Sequence, residues 1–332
     1  MAAQVLRHVL PEAQRRTLEE LKDSLDLSSG DHRPKKSAYW TMLTLSAVIA
    51  SAGVLSDSTA TVIGAMIIAP LSTPIMGFAL GLATGRLQGG LRSSVHFTVL
   101  GALLVIGIGV AFSLVLPGTY NLTANEQIAG RTSPGLLDLI AAIATGFAGA
   151  IALARRDVAA VLPGVAISIS LVPPLAVVGV CLGEGSWGLA VGALTLFISN
   201  LLALVLAGTL VFTALRLNEH VVRPQRRVVF AISALLVVVG IPLATNTALT
   251  YLLAVYTDRV HSAAVQWLED DPTARVTEVQ VHSNDIVVDV RTAGELPEID
   301  ELVAILDGRV PPGYEVVVAT TQGERIEAGF TS

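Results

Sequence analysis

The chain has 332 residues, of which 52% are hydrophobic and only 14% are charged. Soluble domains usually carry roughly 25% charged residues, so this composition excludes an ordinary soluble protein and indicates an integral membrane protein. The single cysteine, Cys181, lies in an apolar run, which excludes a disulfide framework and a cysteine metal site within one chain. We predict no metal site, no cofactor and no nucleic-acid partner.

The formal net charge of -6 conceals an asymmetry along the chain. Residues 258–332 contain 15 acidic and 5 basic residues, a balance of -10, whereas the other 12 acidic and 16 basic residues give +4. This difference predicts that the two parts of the chain face different surroundings.

Residues 1–37 lack the apolar core of a signal peptide. Leucine and valine recur at helical spacing among their charged residues, which predicts a cytoplasmic amphipathic segment that lies on a surface or packs on itself.

Hydropathy then predicts seven membrane spans, each near the roughly 20 residues that a bilayer requires. They cover about 39–55, 59–84, 93–116, 136–154, 158–182, 187–215 and 228–255. If the N-terminus is cytoplasmic, eight of the nine basic residues between Ser37 and Thr257 fall in cytoplasmic loops. The positive-inside bias therefore predicts this orientation, with the C-terminal part outside. The predicted divisions are a membrane domain over 38–215, a cytoplasmic loop and seventh span over 216–256, and an extracytoplasmic domain over 257–332.

Two stretches, 57–85 and 157–185, share one design at a spacing of one hundred residues. Each is apolar and contains two prolines near its middle, and proline removes a helical hydrogen bond and clashes with the preceding turn. Both spans are therefore predicted to break. The two stretches align without a gap and share these pairs: Asp57 and Asp157, Gly64 and Gly164, Pro74 and Pro174, and Gly85 and Gly185.

An internal repeat of three spans must enter the membrane upside down in its second copy, because three is an odd number. The sequence thus predicts a 3+3 inverted repeat, with copies at 38–116 and 136–215, followed by one extra span. Secondary transporters use this arrangement, and their broken helices bind a substrate or an ion near the midplane.

The breaks supply the candidate ligand-binding residues, because hydroxyls and freed carbonyls can bind a solute. The alternative is that the hydroxyls bond back to the helix and the prolines only bend it. No charged residue lies between Ala69 and Pro74, so a small neutral or weakly charged solute, or a monovalent cation, is favoured over a multivalent ion. The candidates are Pro70, Ser72, Thr73, Pro74, Ser168, Ser170, Pro173 and Pro174.

Four further polar residues are secondary candidates. Asp57 and Asp157 stand at span starts, where an aspartate is expensive at depth and often functional but also caps a helix. The predicted topology places them on opposite faces, which argues against an enzyme that uses both as one dyad. His96 and Asn200 lie within spans, where either side chain could instead make a hydrogen bond between helices.

From residue 257 onward the pattern predicts a small soluble α+β domain of order αββαβ. Strands are predicted at 275–282 and 286–291 around a tight hairpin, then a helix that stops at Gly308 and a strand at 314–319. A domain of roughly 75 residues has little room for a core, so packing in a homo-oligomer is plausible.

The segment 62–75, VIGAMIIAPLSTPI, preceded by Ser56, Asp57 and Ser58, resembles the hallmark of domain-of-unknown-function family 389. The resemblance covers about 36–215. It implies a polytopic, uncharacterised membrane protein of prokaryotes, hence a plasma-membrane location, and it implies no function.

Two functions remain open from the sequence. The first is a transporter or channel with a site where the two proline-broken helices meet. The second is a membrane scaffold or sensor whose extracytoplasmic domain binds a partner or assembles the oligomer. Membrane lipid is an expected partner of either.

Overall fold

A computed structural model describes residues 10–85, 90–114, 121–158, 171–215, 226–268, 274–281, 285–292, 296–310 and 315–322. These residues form two compact units, 1–246 and 247–332. The helices of the first unit are α1 (Leu18–Leu25), α2 (His32–Leu55), α3 (Thr59–Ile68), α4 (Ser72–Thr84), α5 (Gly90–Ser113), α6 (Glu126–Thr132), α7 (Leu136–Ala154), α8 (Val172–Gly183) and α9 (Trp187–Ala214). Helix α10 (Arg226–Trp267) runs from the first unit into the second.

The long helices have the composition of membrane spans. In the described part of the chain, five helices are long and apolar enough to cross a membrane, or up to six if α3 and α4 together form one bent span. Large apolar side chains such as Leu103 and Leu137 are 58% and 74% exposed. Such exposure is costly in water and ordinary against lipid tails, which agrees with the predicted membrane class.

Side-chain caps explain several helix starts. Thr17 and Glu20 form a reciprocal capping box at the start of α1, with Glu20 N–H donating to the Thr17 hydroxyl and Thr17 N–H donating to the Glu20 carboxylate. The Ser58 hydroxyl accepts from Thr61 N–H at the start of α3, and the Asn125 side chain accepts from Ile128 N–H at the start of α6.

The core of the first unit lies among α2, α4, α5, α8 and α9. Helix α4 packs on α5 and on α9, and α8 packs on α9 and on α5. Helix α2 packs on α5, and α7 packs on α9. One continuous apolar cluster joins the starts of α4 and α8 through the buried residues Leu71, Ile75, Val172 and Leu175.

The N-terminal segment packs against this core instead of lying apart from it. Leu10, Leu21 and Leu25 are buried in the same cluster as Met76 of α4. The amphipathic pattern predicted from residues 1–37 is therefore real in α1, whose apolar face covers the end of α4.

The second unit holds a three-stranded sheet of order β1 (Arg275–Val281), β2 (Asp285–Thr292) and β3 (Glu315–Gln322), with helix α11 (Ile299–Leu306) between β2 and β3. Strands β1 and β2 are antiparallel, whereas β2 and β3 are parallel. Parallel neighbours need a crossover, and α11 supplies it. In the core of the second unit, the last turns of α10 pack against the sheet and α11. Trp267 Nε1 donates to the carbonyl of Glu298 at 3.1 Å.

Candidate functional site

The first proline-rich segment breaks the second apolar stretch into α3 and α4, which meet at an angle of 49°. Helix α3 ends at Ile68, and the next residues, Ala69 and Pro70, are not helical. Pro70 has no N–H with which to continue the helical hydrogen bonds, so the helix ends before it. A new turn then begins, in which Thr73 N–H donates to the carbonyl of Pro70 at 3.1 Å. The break predicted from the sequence is thus present.

Helix α2 supports this break from the side. The Ser46 hydroxyl donates to the carbonyl of Ala65 at 2.8 Å, and Ser46 is completely buried. This bond satisfies a carbonyl in the last turn of α3, where the backbone needs partners from outside its own helix. Ser51, one and a half turns further along α2, is also completely buried, and its Oγ has no hydrogen-bond partner within the described residues.

At the first break, the hydroxyls of Ser72 and Thr73 stand in the first turn of α4. Both residues are half-buried, as is Pro70, whereas Pro74 is buried. Elsewhere in the spans, Thr98, Thr145 and Thr209 donate to the carbonyl one turn earlier. Residues 72 and 73 have no helical turn before them to accept such a bond, and neither hydroxyl makes a hydrogen bond within the described part of the chain.

The second proline pair stands at the start of α8. Val172, Pro173 and Pro174 occupy its first turn, where proline is tolerated because those N–H groups have no partner within the helix. All three residues are buried. Ser168 and Ser170 lie outside the described residues, so the structure positions only the proline half of this predicted site.

Asp57 caps a helix, although not the one that follows it. Its carboxylate accepts from the N–H groups of Glu126 at 3.3 Å and Gln127 at 3.0 Å, in the first turn of α6. Ser58 caps α3 in its place. Asp57 also has a positive φ of 51°, a conformation that few residues other than glycine, asparagine and aspartate adopt.

Around Asp57, α6 is tied to the ends of α2 and α3 by further polar contacts. The Asn125 amide donates to the carbonyl of Val54 at 2.8 Å, and the Gln127 amide donates to the Thr59 hydroxyl at 2.8 Å. Arg131 donates to the carbonyl of Gln127, and burial lowers the pKa of its guanidinium. Helix α6 also packs on α8 and α9. It therefore covers this end of the helix bundle.

Asp157 has a different environment. Its carboxylate accepts from the Arg155 guanidinium at 2.6 and 3.0 Å, which lowers the pKa of Asp157. The backbone beside it pairs with the N-terminal segment, since Arg16 N–H donates to Ala154 and Arg156 N–H donates to Gln14, each at 2.9 Å. Asp57 and Asp157 thus have separate partners on separate elements. The other two secondary candidates differ from each other: His96 is exposed on α5 and Asn200 is buried in α9.

A comparison with known families identifies the membrane part. The model of the domain of unknown function DUF389 matches residues 66–206. This part of the chain is therefore similar to the DUF389 family. The resemblance predicted from the proline-rich hallmark is confirmed over these residues.

One curated protein to which the chain is similar is a protein of Methanocaldococcus jannaschii named uncharacterized protein MJ0678. It is 31% identical over 179 residues, which are 54% of each chain. The aligned part therefore spans about half the length of the relative. No solved structure matches the chain.

The DUF389 match includes both proline segments and excludes Asp57, the N-terminal segment and the second unit. Sequence reasoning missed Ser46, whose hydroxyl supports the break, because an isolated serine in an apolar span has no pattern that separates it from packing. It also missed α6, because a short polar helix between spans resembles any loop.

Proposed function

We propose that this protein is a membrane transporter or channel for a small solute or monovalent ion, with a site between the two proline-broken helices. The observation that carries the proposal is a pairwise exchange in helix packing. The contact between α4 and α9 corresponds to the contact between α8 and α5. In the same way, the contact between α4 and α5 corresponds to that between α8 and α9, and the contact between α2 and α5 corresponds to that between α7 and α9. Each of these three pairs becomes its partner when one hundred residues are added or subtracted, whereas the packing of α2 on α8 is more extensive than that of its counterpart, α7 on α4.

Local geometry supports the same exchange. Leu71 and Leu171 both precede their helices with right-handed helical angles, and both are buried. Gly85 and Gly185 both follow them with positive φ, 66° and 71°. Copies with three spans each must be inverted relative to one another, and inverted repeats with broken helices place their ligand at the repeat interface.

The chemistry of the break favours a weakly charged ligand. Ser72 and Thr73 offer two hydroxyls that the described protein does not engage, in the first turn of α4. No charged side chain occurs in residues 69–74 or 171–174. Such a site can replace part of the hydration of a neutral solute or a monovalent ion, and it cannot offset the desolvation of a multivalent one.

A flux assay tests this function. The full-length protein is reconstituted into liposomes and assayed for entry of Na⁺, K⁺, Rb⁺, urea and glycerol. We expect at least one of these solutes to cross faster than in protein-free liposomes. Ser72→Ala combined with Thr73→Val should reduce that flux about tenfold or more, because each lost hydrogen bond weakens the bound state.

The control is Thr145→Val on α7, because the Thr145 hydroxyl bonds back to Ala141 within its own helix. This variant should keep the wild-type flux. Thermal unfolding of each variant in detergent separates loss of a site from loss of the fold. No flux of any of the five solutes would overturn the proposal, and so would equal flux in the wild type and a folded double variant.

A second candidate, a scaffold that assembles through its C-terminal unit, has one observation in its favour. Ile299 and Val303 lie one turn apart on α11 and are 49% and 46% exposed, although Leu302 and Leu306 of the same helix are buried. Such a pair fits a contact between copies. Ile299→Glu with Val303→Glu in the full-length protein should then lower the oligomer mass measured by light scattering. An unchanged mass would contradict this function.

A further inference from the structure

A groove of about 570 Å³ opens between the first turns of α2 and α5. Two cationic side chains, Lys36 and Arg92, line it together with the imidazole of His96 and the rings of Trp40 and Phe97. Because α2 and α5 both begin at this end, the positive ends of two helix dipoles face the same region.

The charges of the groove have no acidic partner in the part of the chain that the structure describes. Lys36 and Arg92 form no ion pair within the described residues, and none of the groove-lining residues is acidic. The neighbouring Lys35 differs, since its ammonium group is paired with Asp23. An unpaired cation pair beside an apolar surface favours an anionic ligand.

The aromatic rings at the groove pack against one another. Tyr39, Trp40 and Phe97 have ring centroids 5.1 to 5.9 Å apart, and the Tyr39 hydroxyl donates to the carbonyl of Phe97 at 2.9 Å. The Lys36 ammonium stands 5.8 Å from the centroid of Phe97. Tryptophan beside cations at the end of a span is typical of the boundary between lipid headgroups and acyl chains.

Beyond the charges, the same face of α5 becomes apolar. Leu100 and Leu103 are 39% and 58% exposed, two to three turns further along the helix than Arg92. Eleven residues of helix span roughly 16 Å, a length similar to that of an acyl chain. Positive charge at one end and exposed apolar surface along the rest match the two parts of a phospholipid.

We propose that this groove binds an anionic phospholipid, with the phosphate between Lys36 and Arg92 and an acyl chain along Leu100 and Leu103. The phosphate accepts hydrogen bonds from both cations, and His96 supplies a third donor. Trp40 lies at the level of the glycerol backbone. The site is separate from the proline breaks and does not depend on the transport proposal.

Lipid titration into detergent-purified full-length protein tests the site. Phosphatidylglycerol and phosphatidylcholine of equal chain length are compared by native mass spectrometry. We expect phosphatidylglycerol to bind at least tenfold more tightly. Each basic residue near an anionic headgroup strengthens binding severalfold, and the groove contains two. Lys36→Gln with Arg92→Gln should abolish this preference.

A matched control removes a charge at the same end outside the groove. Arg33 is exposed on α2 and does not line the groove, so Arg33→Gln should keep the preference. Brominated phosphatidylglycerol should quench tryptophan fluorescence in the wild type, and Trp40→Phe should remove most of the quenching. Equal binding of the two lipids would overturn the proposal. So would quenching unchanged by Trp40→Phe, or displacement of the lipid by millimolar inorganic phosphate with no dependence on the acyl chain.

Discussion

Gly109 of α5 and Gly179 of α8 bring the backbones of their helices into direct contact. A Cβ atom on Gly179 would lie 2.8 Å from the Cα atom of Gly109, and one on Gly109 would lie 3.0 Å from the Cα atom of Gly179. Backbone atoms cannot move aside as side chains do. Close approach of this kind is common between membrane helices, where packing replaces the hydrophobic driving force.

Gly179→Ala should therefore destabilise the protein by about 1–3 kcal/mol, because the added methyl group forces α5 and α8 apart. Gly107→Ala is the matched control, since no atom lies within 4 Å of the position of its Cβ. The control should be neutral or slightly stabilising, because alanine favours helix more than glycine does. Thermal unfolding in one detergent measures both. Equal midpoints for the two variants would contradict the contact.

Substitution by alanine should affect stability differently at two serines of α2. Ser46→Ala removes a buried hydrogen bond to the carbonyl of Ala65 and should lower stability by about 1 kcal/mol. Ser51→Ala removes a buried hydroxyl without a partner in the described residues, so stability should stay unchanged or rise by up to about 1 kcal/mol. Chemical denaturation of the two variants side by side checks the difference, and a larger loss for Ser51→Ala would refute it.

Asp57→Ala should loosen α6, because two backbone N–H groups lose their acceptor and alanine disfavours the positive φ at this position. Hydrogen exchange should become severalfold faster at the amides of Glu126 and Gln127. Asp57→Asn keeps an acceptor and tolerates the backbone conformation, so it should restore most of the protection. Asp138→Ala, at the start of α7, is the control and should leave these two amides unchanged.

The ion pair between Glu20 and Arg156 predicts a pH dependence. The hydrogen bond from the Arg156 guanidinium lowers the pKa of Glu20 from 4.5 to about 2. Because the pKa is lower in the folded state, the stabilisation is present above pH 4.5 and is lost as the pH falls toward 2. Both side chains are about half exposed to solvent, so the effect is small.

Glu20→Gln should lower the unfolding midpoint at pH 7 by at most about 2 °C. The difference in unfolding midpoint between the wild type and the variant should become smaller as the pH falls from about 4.5 to about 2. Glu19→Gln is the control, since Glu19 lies beside Glu20 and is exposed. A difference in midpoint that stays constant with pH would show that the ion pair between Glu20 and Arg156 does not contribute to stability.

Hydropathy and proline chemistry carried much of the fold prediction. The break after Ala69 was predicted because proline has one local effect whatever its neighbours are. The small sheet of the second unit was predicted from alternating residues, because that alternation is itself the signature of a half-buried strand. The predicted count of seven spans and the inverted repeat remain predictions, since the described residues contain five to six candidate spans.

Contacts between distant segments could not be predicted. Asp57 lies immediately before a helix, and local reasoning assigns it to that helix, yet it binds N–H groups about seventy residues away. The N-terminal segment was expected to lie on a surface or to pack on itself, and the sequence did not indicate that Leu21 is buried in the same cluster as Met76 of α4. Both outcomes depend on which surfaces meet in the folded chain, and a single sequence carries no direct record of that.

The N-terminal segment and α6 act on the two halves of the bundle at opposite ends. Residues 10–27 join α4 of the first half to the turn after α7 of the second half, through Leu25 and the backbone of Arg16 and Arg156. Helix α6 joins Val54 and Asp57 of the first half to α8 and α9 of the second. The bundle is therefore cross-linked by non-covalent contacts at both ends, once through residues 10–27 and once through α6.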